Sequence, residues 1–208
     1  MSKLFIGLMS GTSADSVDTV LLSISEEKIQ SLGTYNHPIP GKVKKSIYES
    51  VYSENLDKNM INKLDMLLGK IFSEAVNKLL IQECLSSKDI QAIGSHGQTI
   101  KHSPNSPTPF SLQIGNAQLL ANLTSIKTVS DFRSDDISAG GQGAPITPIF
   151  NEYAFSSKNK RVIINIGGIT NITLLENKTQ TTGYDTGPGN CLMDSWAREN
   201  GVGNYDEG

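Results

Sequence analysis

Residues 5–23 read FIGLMSGTSADSVDTVLLS, and this stretch decides the fold. An apolar run at residues 4–8 meets Gly11, Thr12 and Ser13, which are turn formers, and residues 17–24 (VDTVLLSI) are apolar and β-branched. Two such runs around a Gly/Ser/Thr turn predict strand, turn, strand. The plan recurs at residues 162–175, VIINIGGITNITLL. Two copies of one supersecondary unit point to two lobes. Residues 1–155 are expected to form the first lobe. SSKNK at 156–160 reads as a linker, and 161–208 as the start of a second lobe. That remainder is short for a lobe, and NYDEG at 204–208 carries no stop signal, so the chain is expected to be truncated.

Outward from the first hairpin, residues 28–35 predict a third strand, which His37-Pro38 and Pro40-Gly41 end. Residues 42–51 predict a short helix. Leu64, Leu67, Leu68, Ile71, Phe72, Ala75, Val76, Leu79 and Leu80 follow helical spacing and predict a core helix over residues 60–80. Residues 90–94 predict a strand and 95–99 (SHGQT) a loop. Residues 111–114 predict a strand, 117–123 a helix and 127–130 a strand. Residues 131–145 (DFRSDDISAGGQGAP) predict a long loop of the kind that carries function. Residues 148–155 predict a helix, 161–166 and 172–175 strands. After residues 185–190, Asn190 is expected to cap a last helix. The pattern is α/β, a mixed sheet with flanking helices.

Composition narrows the function classes. Of 208 residues 37% are hydrophobic and 19% charged, which fits a globular chain rather than a disordered one. With 18 basic and 21 acidic side chains the net charge is −3, so nucleic acid is not an expected partner. No window of 18 apolar residues and no signal-peptide pattern are present, so neither membrane insertion nor secretion is expected. Two cysteines, Cys84 and Cys191, make no disulfide framework and are expected to be buried small hydrophobes. The expected compartment is the cytoplasm.

Four motifs can carry chemistry. Ser10-Gly11-Thr12-Ser13, with Asp15 and Asp18, is a turn whose backbone N–H groups and hydroxyls can face a phosphate. It is not a P-loop, because no Gly-Lys-Ser/Thr follows. Asp15 can hold Mg²⁺ directly or through water. Asp185-Thr186-Gly187-Pro188-Gly189-Asn190 puts an acid at a strand end beside a turn and a helix start, a placement suited to a general base. In Ser95-His96-Gly97-Gln98-Thr99, His96 is a candidate base or sugar contact. In residues 131–145, Arg133 can fork onto a carboxylate, and Gly140, Gly141 and Gly143 allow close backbone approach. Each motif also has a plain structural reading as a satisfied turn or surface loop.

Together, IGLMSGTSADSVD, IGSHGQTI, LQIGNAQLLA, DFRSDDISAGGQGAP, INIGGITNITLL and GYDTGPGNCLMD, in this order, resemble the anhydro-N-acetylmuramic acid kinase family. That family belongs to the superfamily of sugar kinases, heat-shock chaperone ATPases and actin. The resemblance implies a ribonuclease-H-like first lobe of a two-lobe actin-like ATPase fold, with the second lobe incomplete. It implies an ATP-dependent kinase, with Mg²⁺, that opens the 1,6-anhydro ring of 1,6-anhydro-N-acetylmuramic acid with water and phosphorylates O6 in peptidoglycan recycling. Asp185 matches the family's general base. Gly11, Thr12, Ser13, Ala14, Asp15, Ser16, Val17 and Asp18 match its ATP phosphate loop. His96, Gln98, Arg133 and Gln142 fall on the sugar side. The partners implied are ATP and a small amino sugar, and a symmetric homodimer is compatible with the sequence. Two departures stand out: in the phosphate loop Ala14 and Ser16 replace the family's usual Leu and Gly, and Ser16 alters the turn if that position needs positive φ; the larger departure is length, since the family's chains are much longer and complete both lobes. A non-catalytic sugar-binding module and a chaperone-like ATPase are the alternatives; the long 131–145 loop speaks against the latter.

Overall fold

The apolar periodicity of residues 64–80 folds as the helix that organises the first half of the chain. In a computed structural model, which describes residues 2–26, 28–177 and 180–201, it runs from Lys58 to Gln82. Asp57 starts it, its carboxylate accepting from the Asn59 N–H at 2.8 Å. Leu64, Leu68, Ile71, Phe72, Ala75, Val76, Leu79 and Leu80 are buried, whereas Leu67 lies at the edge of the stripe and is exposed.

The chain divides into two compact units, residues 1–140 and 141–208. In the first unit, β1 (Lys3–Ser10), β2 (Ser16–Ile24) and β3 (Ile29–Pro38) form an antiparallel meander. Two helices follow, α1 (Gly41–Tyr52) and α2 (Lys58–Gln82), and then β4 (Ile90–Ser103). β5 (Phe110–Ile114), α3 (Ala117–Thr124), β6 (Thr128–Ser130) and α4 (Phe132–Ser138) complete it. The sheet order is β3-β2-β1-β4-β5, with β4 parallel to β1 and β6 parallel to β4. A meander whose first strand pairs in parallel with a strand returning after helices is the ribonuclease-H-like plan, a mixed sheet with flanking helices. α2 packs on β2, β3 and β5. Ile6, Leu8, Val17, Leu21, Ile93 and Phe72 are each at most 4% exposed in this core.

In the second unit, α5 (Thr147–Phe155) precedes the antiparallel sheet β7 (Arg161–Ile166), β8 (Ile169–Asn177) and β9 (Gln180–Pro188), and α6 (Cys191–Glu199) follows it. α5 packs on β8 and β9, and Asn151 Nδ2 donates to the buried Thr173 Oγ1 at 2.8 Å. The SSKNK stretch therefore lies inside this unit, between α5 and β7. Residues 204–208 are outside the described residues.

Four local expectations are corrected. Residues 95–99 are not a loop: β4 continues through them, because Gln98 onward pairs with β5 and the neighbours override local turn propensity. Residues 131–145 are not wholly irregular, since α4 forms within them. Asn190 stands at the start of α6 but makes no side-chain cap; its amide donates to Ile166 O at 3.4 Å. Cys84 is exposed and left-handed at the end of α2, and Cys191 is half-buried. Among the described residues no helix is long and apolar enough to cross a membrane.

Candidate functional site

The turn between β1 and β2 is held from one side by α1. Within it, the Ala14 N–H closes onto Gly11 O at 3.0 Å. Tyr48 donates its hydroxyl to Ser13 O at 2.8 Å, the Ile39 N–H donates to Asp15 O at 2.9 Å, and Lys44 pairs with the Asp15 carboxylate. Positive φ falls at the buried Ala14 (47°) and not at Ser16, which begins β2 in extended form and donates to Asp18. Ser16 is therefore compatible with the turn. Val17 points into the core, while Thr12 and Asp18 are exposed, Asp18 accepting from Asn36. Backbone and hydroxyls gathered at Gly11, Thr12 and Ser13 beside a left-handed residue fit a phosphate. No group of three or more His, Cys, Asp or Glu side chains is gathered among the described residues. The carboxylates of this turn are Asp15, paired with Lys44, and Asp18, which accepts from Ser16 and Asn36.

Behind this turn, Ser10 Oγ donates to Gln98 Oε1 at 2.6 Å. Gln98 is 1% exposed, and its Nε2 donates to Thr99 O at 3.3 Å. Its side chain ties β4 to the root of the turn and does not line the cavity described next. The sequence grouped Gln98 with His96 because they are near neighbours in one motif; a buried bond to Ser10 has no local signal.

A bulge sets His96 apart. Ser95 pairs with Leu8 and Gly97 with Met9, so His96 is the extra residue on β4. Gly97 carries φ +79°, and a Cβ there would stand 2.8 Å from Ile114 O, so only glycine holds this turn against β5. His96 lies on the wall of a cavity of about 350 Å³, with Ser95, Gln113, Asn116, Ser130 and Ser134 among the lining. Asp65 fixes the far wall, accepting from the Gly115 N–H and from Asn116 Nδ2, while Asn116 Oδ1 caps α3. Ser95 Oγ and Gln113 Oε1 are buried and make no hydrogen bond among the described residues. Gln113 Nε2 is already given to Thr99 and Ser111. A neutral polar ligand, rich in hydroxyl and amide groups, suits such a wall.

Arg133, on α4, donates through Nε to His96 Nε2 at 3.0 Å. Burial pushes the His96 pKa below its ordinary value, the Gly97 carbonyl opposes that, and the Arg133 charge adds to it. Sequence reasoning placed both residues on the ligand side without linking them. It missed Lys44 and Tyr48 altogether, because their spacing from the turn is set by the meander.

In the second unit two glycine-rich turns are stitched together. The N–H groups of Gly189 and Asn190 donate to Gly168 O and Gly167 O at 2.9 and 2.8 Å. A Cβ on Gly189 would stand 2.2 Å from Gly167 O, so this approach requires glycine. Asp185, on β9, is exposed and pairs in register with Asn171, whose Oδ1 is buried without a hydrogen bond among the described residues. Gln142 is exposed near the start of this unit.

The family described as anhydro-N-acetylmuramic acid kinase matches residues 3–208. A protein of that name from Photobacterium profundum is 45% identical over 203 residues, 97% of this chain and 54% of that one. One from Saccharophagus degradans is 44% identical over 210 residues, covering 99% and 57%. The chain spans about half the length of these relatives. Among solved structures, a reductive activator for corrinoid, iron-sulfur protein aligns at TM-score 0.49 and 18% identity, covering 90% of this chain and 31% of that one. A Ppx/GppA family member from Aquifex aeolicus aligns at 0.46 and 7%, covering 94% and 54%.

Proposed function

This chain belongs to the anhydro-N-acetylmuramic acid kinase family, and from that premise we propose that it supplies the first lobe, the phosphate turn and the general base of such a kinase. The reaction uses ATP to convert 1,6-anhydro-N-acetylmuramic acid and water into N-acetylmuramic acid 6-phosphate and ADP, a step in peptidoglycan recycling. Asp185 takes a proton from water as the water oxygen bonds to the anomeric carbon. The bond from that carbon to O6 breaks, and O6 accepts the γ-phosphoryl group as ADP leaves. Residues 11–18 hold the nucleotide phosphates, with Mg²⁺ neutralising their charge. The cavity beside His96 takes the hydroxyl and acetamido groups of the sugar, and Arg133 takes the lactyl carboxylate. Gln142 contributes from its own unit, Gln98 acts behind the surface through Ser10, and the cytoplasm is the expected compartment.

The observation that carries this reading is the family match over residues 3–208, in which the exposed Asp185 stands beside stitched glycine turns. The test is a chimera in which this chain replaces the matching half of the Photobacterium profundum relative. The unaltered chimera should release ADP and phosphorylated sugar in equal amounts. Asp185→Asn should lose about 10²–10⁴-fold in turnover, while the sugar still binds and the protein still melts cooperatively. A folded Asp185→Asn chimera with near-normal turnover removes Asp185 as the base. Equal sugar binding with no phosphorylation by the unaltered chimera would favour a non-catalytic sugar-binding module.

A further inference from the structure

The turn that joins β1 to β2 contains a left-handed alanine. Ala14 carries φ 47° and is 0% exposed. A residue with a Cβ keeps that conformation only where its surroundings hold it. Here the holding comes from α1 and the segment that leads into it. The peptide between Ser13 and Ala14 is fixed at both ends: its carbonyl accepts from the Tyr48 hydroxyl at 2.8 Å, and its N–H donates to Gly11 O at 3.0 Å. Asp15 follows, its carbonyl accepting from the Ile39 N–H at 2.9 Å and its carboxylate pairing with Lys44. Lys44 and Tyr48 lie one helical turn apart on α1 and share a face, the Lys44 ammonium standing 5.7 Å from the Tyr48 ring centroid. Among the described residues, the N–H groups and hydroxyls of Thr12 and Ser13 have no hydrogen-bond partner in the protein.

Charge points to the same two residues. A polyphosphate that docks on Thr12 and Ser13 brings several negative charges beside the Asp15 carboxylate. The Lys44 and Asp15 side chains are 18% and 22% exposed, so water and salt screen this pair less than one on the open surface. Taking the ammonium away leaves a half-buried carboxylate uncompensated where the phosphates arrive. The next cation on α1, Lys45, pairs with Glu49 instead. We propose that Lys44 and Tyr48 are positioning residues for a polyphosphate at the β1–β2 turn. Lys44 cancels the Asp15 charge, and Tyr48 keeps the Ser13 carbonyl on the α1 side while the Thr12 and Ser13 N–H groups serve the ligand. The inference rests on the phosphate-turn reading above. Both residues lie outside the motif at 11–18 and act through it.

The test titrates the ¹⁵N-labelled 208-residue chain with metal-free tripolyphosphate, which separates the phosphates from base and metal. The largest amide shifts should fall at Thr12 and Ser13. Lys44→Met should weaken binding about tenfold, the scale of one lost charge neutralisation at partial burial, and Lys44→Arg should restore it. Lys44→Met combined with Asp15→Asn should recover most of the loss, because the carboxylate that needed balancing is gone. Tyr48→Phe should move the Ser13 and Ala14 amide signals before any ligand is added and weaken binding about threefold, the scale of one hydrogen bond. Melting curves accompany each variant. If Lys44→Met does not fold, Tyr48→Phe and the combined variant carry the test, the combined variant then being expected to bind nearly as the unaltered chain does. Tripolyphosphate that leaves Thr12 and Ser13 unmoved in the unaltered chain overturns the phosphate-turn reading, and this proposal with it. Shifts there with unchanged affinity in folded Lys44→Met or in Tyr48→Phe overturn the positioning role and leave that reading standing. A loss in Lys44→Met that the added Asp15→Asn does not relieve also overturns it, since Lys44 would then meet the phosphates itself.

Discussion

Hairpins β1–β2 and β7–β8 follow one plan and end in different surroundings. The first is joined by five residues, 11–15, and the second by two, Gly167 and Gly168. In the first, Ile6, Leu8, Val17 and Leu21 are at most 4% exposed. In the second, Val162, Ile164 and Ile166 are 56%, 60% and 64% exposed, although they are as apolar and β-branched. An apolar strand is only a request for burial, and α2 answers it for the first hairpin. α5 answers it on one face of the second sheet, burying Thr173 and Leu175. The longer turn also leaves backbone and hydroxyls to present to a ligand, while the two-glycine turn spends its carbonyls on residues 189–191.

Three substitutions press on this contrast. Phe72→Ala should be the most damaging, at about 3–5 kcal/mol, since the ring is fully buried at the centre of the first core. Thermal melting measures the loss, and hydrogen exchange should speed up in β1 and β4. A smaller effect, about 1–3 kcal/mol, is expected from Gly189→Ala, because the new methyl meets the Gly167 carbonyl, which cannot swing away. Exchange at residues 189–191 reads it, and unchanged protection there would mean that the two turns are not held together. Ile164→Ser should be nearly silent, within about 0.5 kcal/mol. A loss of 2 kcal/mol or more at Ile164 would show that its face is closed in solution, and the contrast between the hairpins would collapse.

Much of this was legible from residues. The stripe Leu64 to Leu80 located α2, and the β-branched runs located β1, β2, β7 and β8, because burial and local propensity agree there. The reading failed where a neighbour overrules the local residue. Ser95, Gly97 and Gln98 look like a turn yet sit between two strands, and Phe132 to Ser138 look like a loop yet wind into α4. At the candidate site, the residue types were visible, whereas the pairings were not. His96 to Arg133, Ser10 to Gln98 and Lys44 to Asp15 all join distant positions, and each depends on register or on how a helix lies across the sheet.

The parallel pairing of β1 with β4 has a consequence for the order in which the chain is made. β1, β2 and β3 leave the ribosome ahead of α1, α2 and β4 and can close their meander at once, since each turn between them is short. The other edge of β1 must wait, because Leu4 pairs with Ile90 and everything from α1 through α2 is synthesised in between. Throughout that interval the nascent chain carries an unpaired strand edge flanked by Ile6 and Leu8, the kind of surface on which other chains add. The finished sheet hides this edge at its centre, so the association hazard belongs to synthesis and vanishes once β4 is in place.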